Sequence, residues 1–221
     1  IAGGGSAGGS DVTTGYSNER GGGGGAGGYR HITNITNLAN STNYTITVGG
    51  GGSRVGLYLH TSGTNSSALT YSATGGGSGG ISRHGSYDAY WGGYEGNAGG
   101  SGGGAMGTFP GAPGGAGNLG GYTPVEGYAG GSIPTGTVNT GKSSGGGGSA
   151  GPGIYVITGG GGPGTASTIT GSSVTRAAGG QVANNTTSGA INSGDGGDSG
   201  INTTGSGAGG SGVVIIRYKF Q

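Results

Sequence analysis

Apolar residues fall into short runs along the chain and nowhere recur at the three- and four-residue spacing of an amphipathic helix. The runs are rich in β-branched and aromatic residues and predict strands: NYTITV at 43–48, RVGLYLH at 54–60, ALTYSAT at 68–74, GIYVIT at 153–158, ASTIT at 166–170 and GVVIIRYKF at 212–220. The last is the most apolar, and 213–216 reads as a strand buried on both faces. No apolar run approaches the roughly 18 residues of a membrane-spanning helix, so no membrane insertion is expected.

Between these runs lie glycine clusters at 3–5, 21–25, 49–52, 75–77, 102–104, 145–148, 159–162 and 209–210, joined by stretches of Ser, Thr, Asn and Tyr. Glycine supplies 69 of 221 residues, but without the strict three-residue period and the proline content of collagen. One Trp, two Phe and one Met are too few for an ordinary apolar core, so glycine itself must pack. An extended glycine run favours the polyproline II conformation, with three residues per turn and no internal hydrogen bonds. Without a Cβ such helices approach closely and bond sideways through their amides. Glycine loses the most backbone entropy on ordering, so many helices must stack together. The predicted fold is therefore all-β or irregular: one domain over 1–221, a layered polyglycine II sandwich with a few short strands and essentially no α-helix.

Charge and motifs narrow the chemistry. Charged residues make up 7% of the chain and the formal net charge is +1, which provides no basic stripe for nucleic acid. GTVNTGKSS at 136–144 fits the phosphate-loop pattern through Gly136, Gly141, Lys142 and Ser143. It lacks the buried strand before and the helix after that such a loop requires, so no nucleotide or other cofactor is expected. His31, His60 and His84 stand beside no nucleophile motif and the seven scattered carboxylates imply no paired acid geometry for catalysis, so no enzyme is expected. GDGGDSG at 194–200 places Asp195 and Asp198 as the only pair suggestive of a metal loop; a polar turn is the preferred reading. Asn34, Asn40, Asn43, Asn65, Asn184, Asn185 and Asn202 stand in N-x-[ST], which in so Asn-, Ser- and Thr-rich a chain reads as polar surface. Ile1 follows no initiator Met or signal pattern, and processing or truncation ahead of it is expected.

RGGGGGAGGYR at 20–30, YTITVGGGG at 44–52, SGGGGSAGPG at 144–153 and the ending GGSGVVIIRYKF resemble the glycine-rich domain at the C-terminal ends of phage tail fibres, tail-fibre-tip adhesins and other virion proteins. The resemblance covers nearly the whole chain. It implies polyglycine II helices packed as a sandwich, with the joining loops binding a protein or glycan receptor on a host cell, at the virion surface and outside the cell. Three segments carry the aromatic and polar side chains that suit such a surface. They are 81–96, with Arg83, His84, Tyr87, Asp88, Tyr90, Trp91, Tyr94 and Glu95; 121–131, with Tyr122, Glu126 and Tyr128; and 105–111, with Met106 and Phe109. The alternative for these rings is packing against the ends of the glycine layers. A rival function is structural: a filament or capsid decoration, with a homo-oligomer among its expected forms, assembled through strand edges at Val213, Val214, Ile215, Ile216 and Tyr218. Ice binding is a third reading, because insect antifreeze proteins also bundle polyglycine helices. They lack the GGSGVVIIRY ending.

Overall fold

A computed structural model describes residues 1–9, 20–36, 38–55, 59–81, 93–107, 109–136, 142–183, 186–200 and 205–219. These residues contain no α-helix and only short antiparallel strands, an all-β or irregular architecture. β1 (Ile46–Thr47), β4 (Ser66–Ala68) and β5 (Tyr71–Ala73) form a three-stranded sheet in the order β1-β4-β5. Three two-stranded ladders complete the set: β2 (Arg54–Val55) with β3 (Leu59–His60), β6 (Ser143–Ser144) with β7 (Tyr155–Val156), and β8 (Thr165–Ser167) with β9 (Val174–Arg176).

The strands are excursions from something else. Residues 22–28 make no internal backbone hydrogen bonds, and their amides point in rotation at three neighbours with a period of three. Gly22, Gly25 and Gly28 donate to Gly80, Gly77 and Thr74; Gly23 and Ala26 donate to Ser144 and Gly147; Gly24 and Gly27 donate to Gly197 and Gly194, all at 2.8–3.0 Å. The carbonyls do the same in reverse. Gly9, Ser6 and Gly3 donate to Gly22, Gly25 and Gly28, Gly104 and Ser101 to Gly23 and Ala26, and Gly180 to Gly24. Six segments thus surround 22–28: 3–9, 74–80, 101–104, 144–147, 180 and its neighbours, and 194–197. A chain with three residues per turn and no internal bonds presents its amides in this way.

Absence of side chains makes the arrangement possible. A Cβ on Gly24 would sit 1.8 Å from the Ser6 carbonyl oxygen, and one on Gly27 2.0 Å from that of Gly3. Both obstacles are backbone, so no rotamer change relieves them. Where the interior has room, it takes only small residues: Ala2, Ala7, Ala26, Ala73, Ala105 and Ser6 are fully buried. The largest fully buried side chains are Met106, Glu126 and Val182, and after them come serines. Beside this interior lies one small apolar cluster of Ala105, Ala112 and Ile133, covered by Tyr94 and Tyr155.

Several predicted strands are corrected. Residues 213–216 are no strand buried on both faces. Val213 makes a single antiparallel bridge with Ala2, while Val214 and Ile215 are half-buried and Ile216 is 54% exposed. The apolar run at 68–74 is broken at its second residue, because Leu69 adopts φ 58° in the turn that joins β4 to β5. The strands Ser143–Ser144 and Val174–Arg176 are not legible in the sequence; the serines are drawn into β6 by cross-strand bonding to Tyr155 and Val156.

Candidate recognition surface

The chain runs to and fro between two ends of the glycine block. At the Gly22 end lie Gly9, Gly80 and Gly104; at the Gly28 end lie Gly3, Thr74 and, through its carbonyl bonded to Tyr29 N–H, Glu126.

At the Gly22 end, Ile81 N–H donates to the Gly93 carbonyl at 2.5 Å and Met106 N–H to that of Tyr94 at 2.9 Å. These bonds bring the segments containing Tyr94 and Phe109 together, and the two rings stack at 5.0 Å with an interplanar angle of 13°. Phe109 is 52% exposed, Tyr94 is half-buried and Glu95 is exposed, whereas Met106 is fully buried and offers no surface. Arg83, His84, Tyr87, Asp88, Tyr90 and Trp91 lie outside the described residues. Residues flanking 10–19, 82–92, 137–141 and 201–204 meet at this end: Gly9 bonds Gly22, Gly80 accepts from Gly22, the Ser143 hydroxyl donates to the Gly21 carbonyl at 2.8 Å, and Ser199 N–H bonds Gln181. Ser143 Oγ also lies 3.0 Å from the Ala105 carbonyl and is fully buried, so the hydroxyl of the phosphate-loop pattern is committed to holding two segments together. Lys142 instead lies over the Tyr155 ring, 5.6 Å from its centre.

His60 anchors another excursion here. Its Nδ1 lies 2.9 Å from the Gly8 carbonyl, and its Nε2 is buried without a hydrogen-bond partner. Burial, reinforced by the Arg54 charge, lowers its pKa to about 4. The ring is therefore neutral, with the proton on Nδ1 donating to the carbonyl.

Tyr122, Glu126 and Tyr128 go to or toward the opposite end. Glu126 is fully buried; its Oε2 accepts from Thr74 N–H at 2.9 Å and its Oε1 from Gly120 N–H at 3.2 Å. Two amide donors compensate the buried carboxylate, whose role is to tie the 118–126 loop to the block. Asn118 completes the tie, its Oδ1 accepting from the amides of Tyr122 and Glu126. Tyr122 is held under the Arg30 guanidinium, 3.7 Å from ring centre, with its hydroxyl 2.7 Å from Ser72 Oγ. Tyr128 is 40% exposed. Of the three predicted segments, the structure joins 93–96 to 105–111 and separates both from Tyr122.

Asp195 and Asp198 act in the lattice. Asp195 Oδ1 accepts from Ala178 N–H at 2.9 Å and Asp198 Oδ1 from Gln181 N–H at 2.8 Å, while Gly196 and Ser199 donate to the carbonyls of Ala178 and Gln181. A three-residue spacing places both carboxylates on the same side, where each pairs the neighbouring segment one turn apart. Burial raises the Asp198 pKa, opposed by its bonds from Gln181 and Thr187. Among the described residues no three His, Cys, Asp or Glu side chains cluster as metal ligands.

At the Gly28 end an open groove of about 1090 Å³ runs between 29–35, 166–169 and 213–219. Sequence reasoning missed it, because its walls come from three separate excursions. Ile216 and Tyr218, 54% and 80% exposed, belong to it, and 214–219 makes no backbone hydrogen bond with any described residue.

No curated protein and no solved structure matches the chain. A family model described as a glycine-rich domain matches residues 1–219. The match spans nearly the whole sequence, and the chain belongs to the glycine-rich domain family.

Proposed function

We propose that the chain is a recognition domain of a virion surface, a phage tail-fibre or fibre-tip adhesin, in which packed polyglycine II helices form a rigid block and the loops at one end bind a receptor on the bacterial surface. The observation that supports this reading is the meeting, at the Gly22 end, of the residues flanking 10–19, 82–92, 137–141 and 201–204 with the stacked Tyr94 and Phe109. A block whose amides bond in three directions resists deformation, so the described residues at this end hold their relative positions and lose little entropy on binding. Stacked aromatic rings with one face exposed suit glycan and protein surfaces alike. The role is binding outside the cell, without catalysis.

The test is binding of the labelled protein to a panel of bacterial strains, beside a variant with Tyr87, Tyr90, Trp91, Tyr94 and Phe109 changed to Ser. The reading expects the parent to bind a subset of strains and the variant, with unchanged unfolding temperature, to bind none. Equal binding by both removes the aromatic site, and binding to no strain removes the adhesin. A second reading, a filament or capsid subunit, draws on the unpaired edge at 214–219. Ordered assemblies in micrographs of purified protein would support it.

A further inference from the structure

The groove at the Gly28 end concentrates charge of one sign. Arg30, Arg176, Arg217 and Lys219, four of the eight basic residues of the chain, line it, and no Asp or Glu among the described residues does. Arg30 is already engaged, donating to the Ser72 carbonyl at 2.8 Å and covering Tyr122. Arg176 is different. Only 9% of it is exposed, and its Nε and Nη1 are buried without a hydrogen-bond partner. Leaving guanidinium donors unpaired away from water is costly unless a ligand completes them, and the planar fork of Arg matches an oxyanion. Along the same groove, no backbone hydrogen bond joins 214–219, which carries Ile216 and Tyr218, to any described residue. An unpaired extended edge beside apolar side chains takes another strand.

We propose that this groove docks an extended acidic strand of a different polypeptide, its backbone pairing with 214–219 and one carboxylate occupying the Arg176 guanidinium. A second copy of this chain in the same pose would bring two basic grooves together. A free phosphate or an acidic glycan would satisfy the charge and leave the strand edge unused. The inference stands independently of the loops at the other end and is tested in solution, without cells.

The intact protein is titrated calorimetrically with an acetylated, amidated peptide of alternating Val and Thr carrying one central Glu, with its Gln counterpart, with a version N-methylated on alternate amides, and with inorganic phosphate. The Glu peptide should bind about tenfold or more tightly than the Gln peptide, as a charge-assisted bond requires. N-methylation should abolish binding. Arg176→Gln should lower the Glu peptide to the level of the Gln peptide and leave the Gln peptide unchanged. If that variant fails to fold, the exposed pair Arg217→Gln and Lys219→Gln should weaken the Glu peptide and flatten its salt dependence. Equal affinity for the Glu and Gln peptides, phosphate binding as tightly as peptide, indifference to N-methylation, self-association that blocks the groove, or no binding would each overturn the proposal.

Discussion

Residues 22–28 and 214–219 both lie outside any strand ladder, and their compositions are opposite. The first is glycine with one alanine, is buried throughout, and bonds six neighbouring segments. The second begins with the β-branched residues Val214, Ile215 and Ile216, yet Ile216 and Tyr218 stand 54% and 80% exposed and no described backbone pairs with it. In an ordinary domain the apolar segment would be the centre and the glycine segment a linker. Here the spacing between segments is set by backbone contact, which excludes large side chains from the centre and leaves them for the periphery. What holds the centre is the pairing of amides and carbonyls, each modest in net worth but costly to leave unmade once buried.

That contrast can be broken most forcefully at Gly24. A Gly24→Ala variant places its Cβ 1.8 Å from the Ser6 carbonyl, and displacement of backbone on both sides should remove about 3 kcal/mol or more, a large part of the stability of a small protein. Chemical denaturation measures this directly, and an unchanged midpoint would refute the close approach.

Acid offers a second lever on the same interior. His60 is neutral in the folded chain, with a pKa of about 4 against 6.5 when unfolded. The unfolded chain therefore takes up an extra proton between those values, so stability falls as pH drops through that window and is fully recovered above about 6.5. The whole effect approaches about 3 kcal/mol, and His60→Gln should flatten that part of the stability profile.

Glu126→Gln should cost about 2 kcal/mol, because the amide group faces one of the two N–H donors that the carboxylate satisfied. Differential scanning calorimetry should show the lowered melting temperature. By contrast, Ile216→Ser and Tyr218→Ser should shift stability by no more than about 0.5 kcal/mol, as exposed substitutions do. A large loss there would reverse the assignment of centre and periphery.

Much of this architecture can be read from the residues. The glycine clusters, the scarcity of large apolar residues and the lack of helical spacing predict lateral backbone bonding, and the backbone bonds of 22–28 run laterally to neighbouring segments. Asp195 and Asp198 read as a polar turn, with a metal loop as the lesser reading; that their three-residue spacing serves to pair a neighbouring segment is not visible until their amide partners are known. Strand propensity misleads at 213–216, because burial there depends on a partner surface that the block does not provide. Glu126 reads as a surface acid, since nothing local reveals that Thr74 and Gly120 will offer it two amides. The groove is invisible in the sequence because 30, 176 and 217 are far apart along the chain.

Amide hydrogen exchange on the intact protein tests the central claim most directly, since it reads each segment without substitution. Glycine amides at 22–28 should be among the slowest to exchange, opening only with global unfolding, while those at 214–219 should exchange within the earliest time points. Fast exchange at 22–28 together with protection at 214–219 would show that the apolar segment is the centre and that the glycine lattice does not hold the fold.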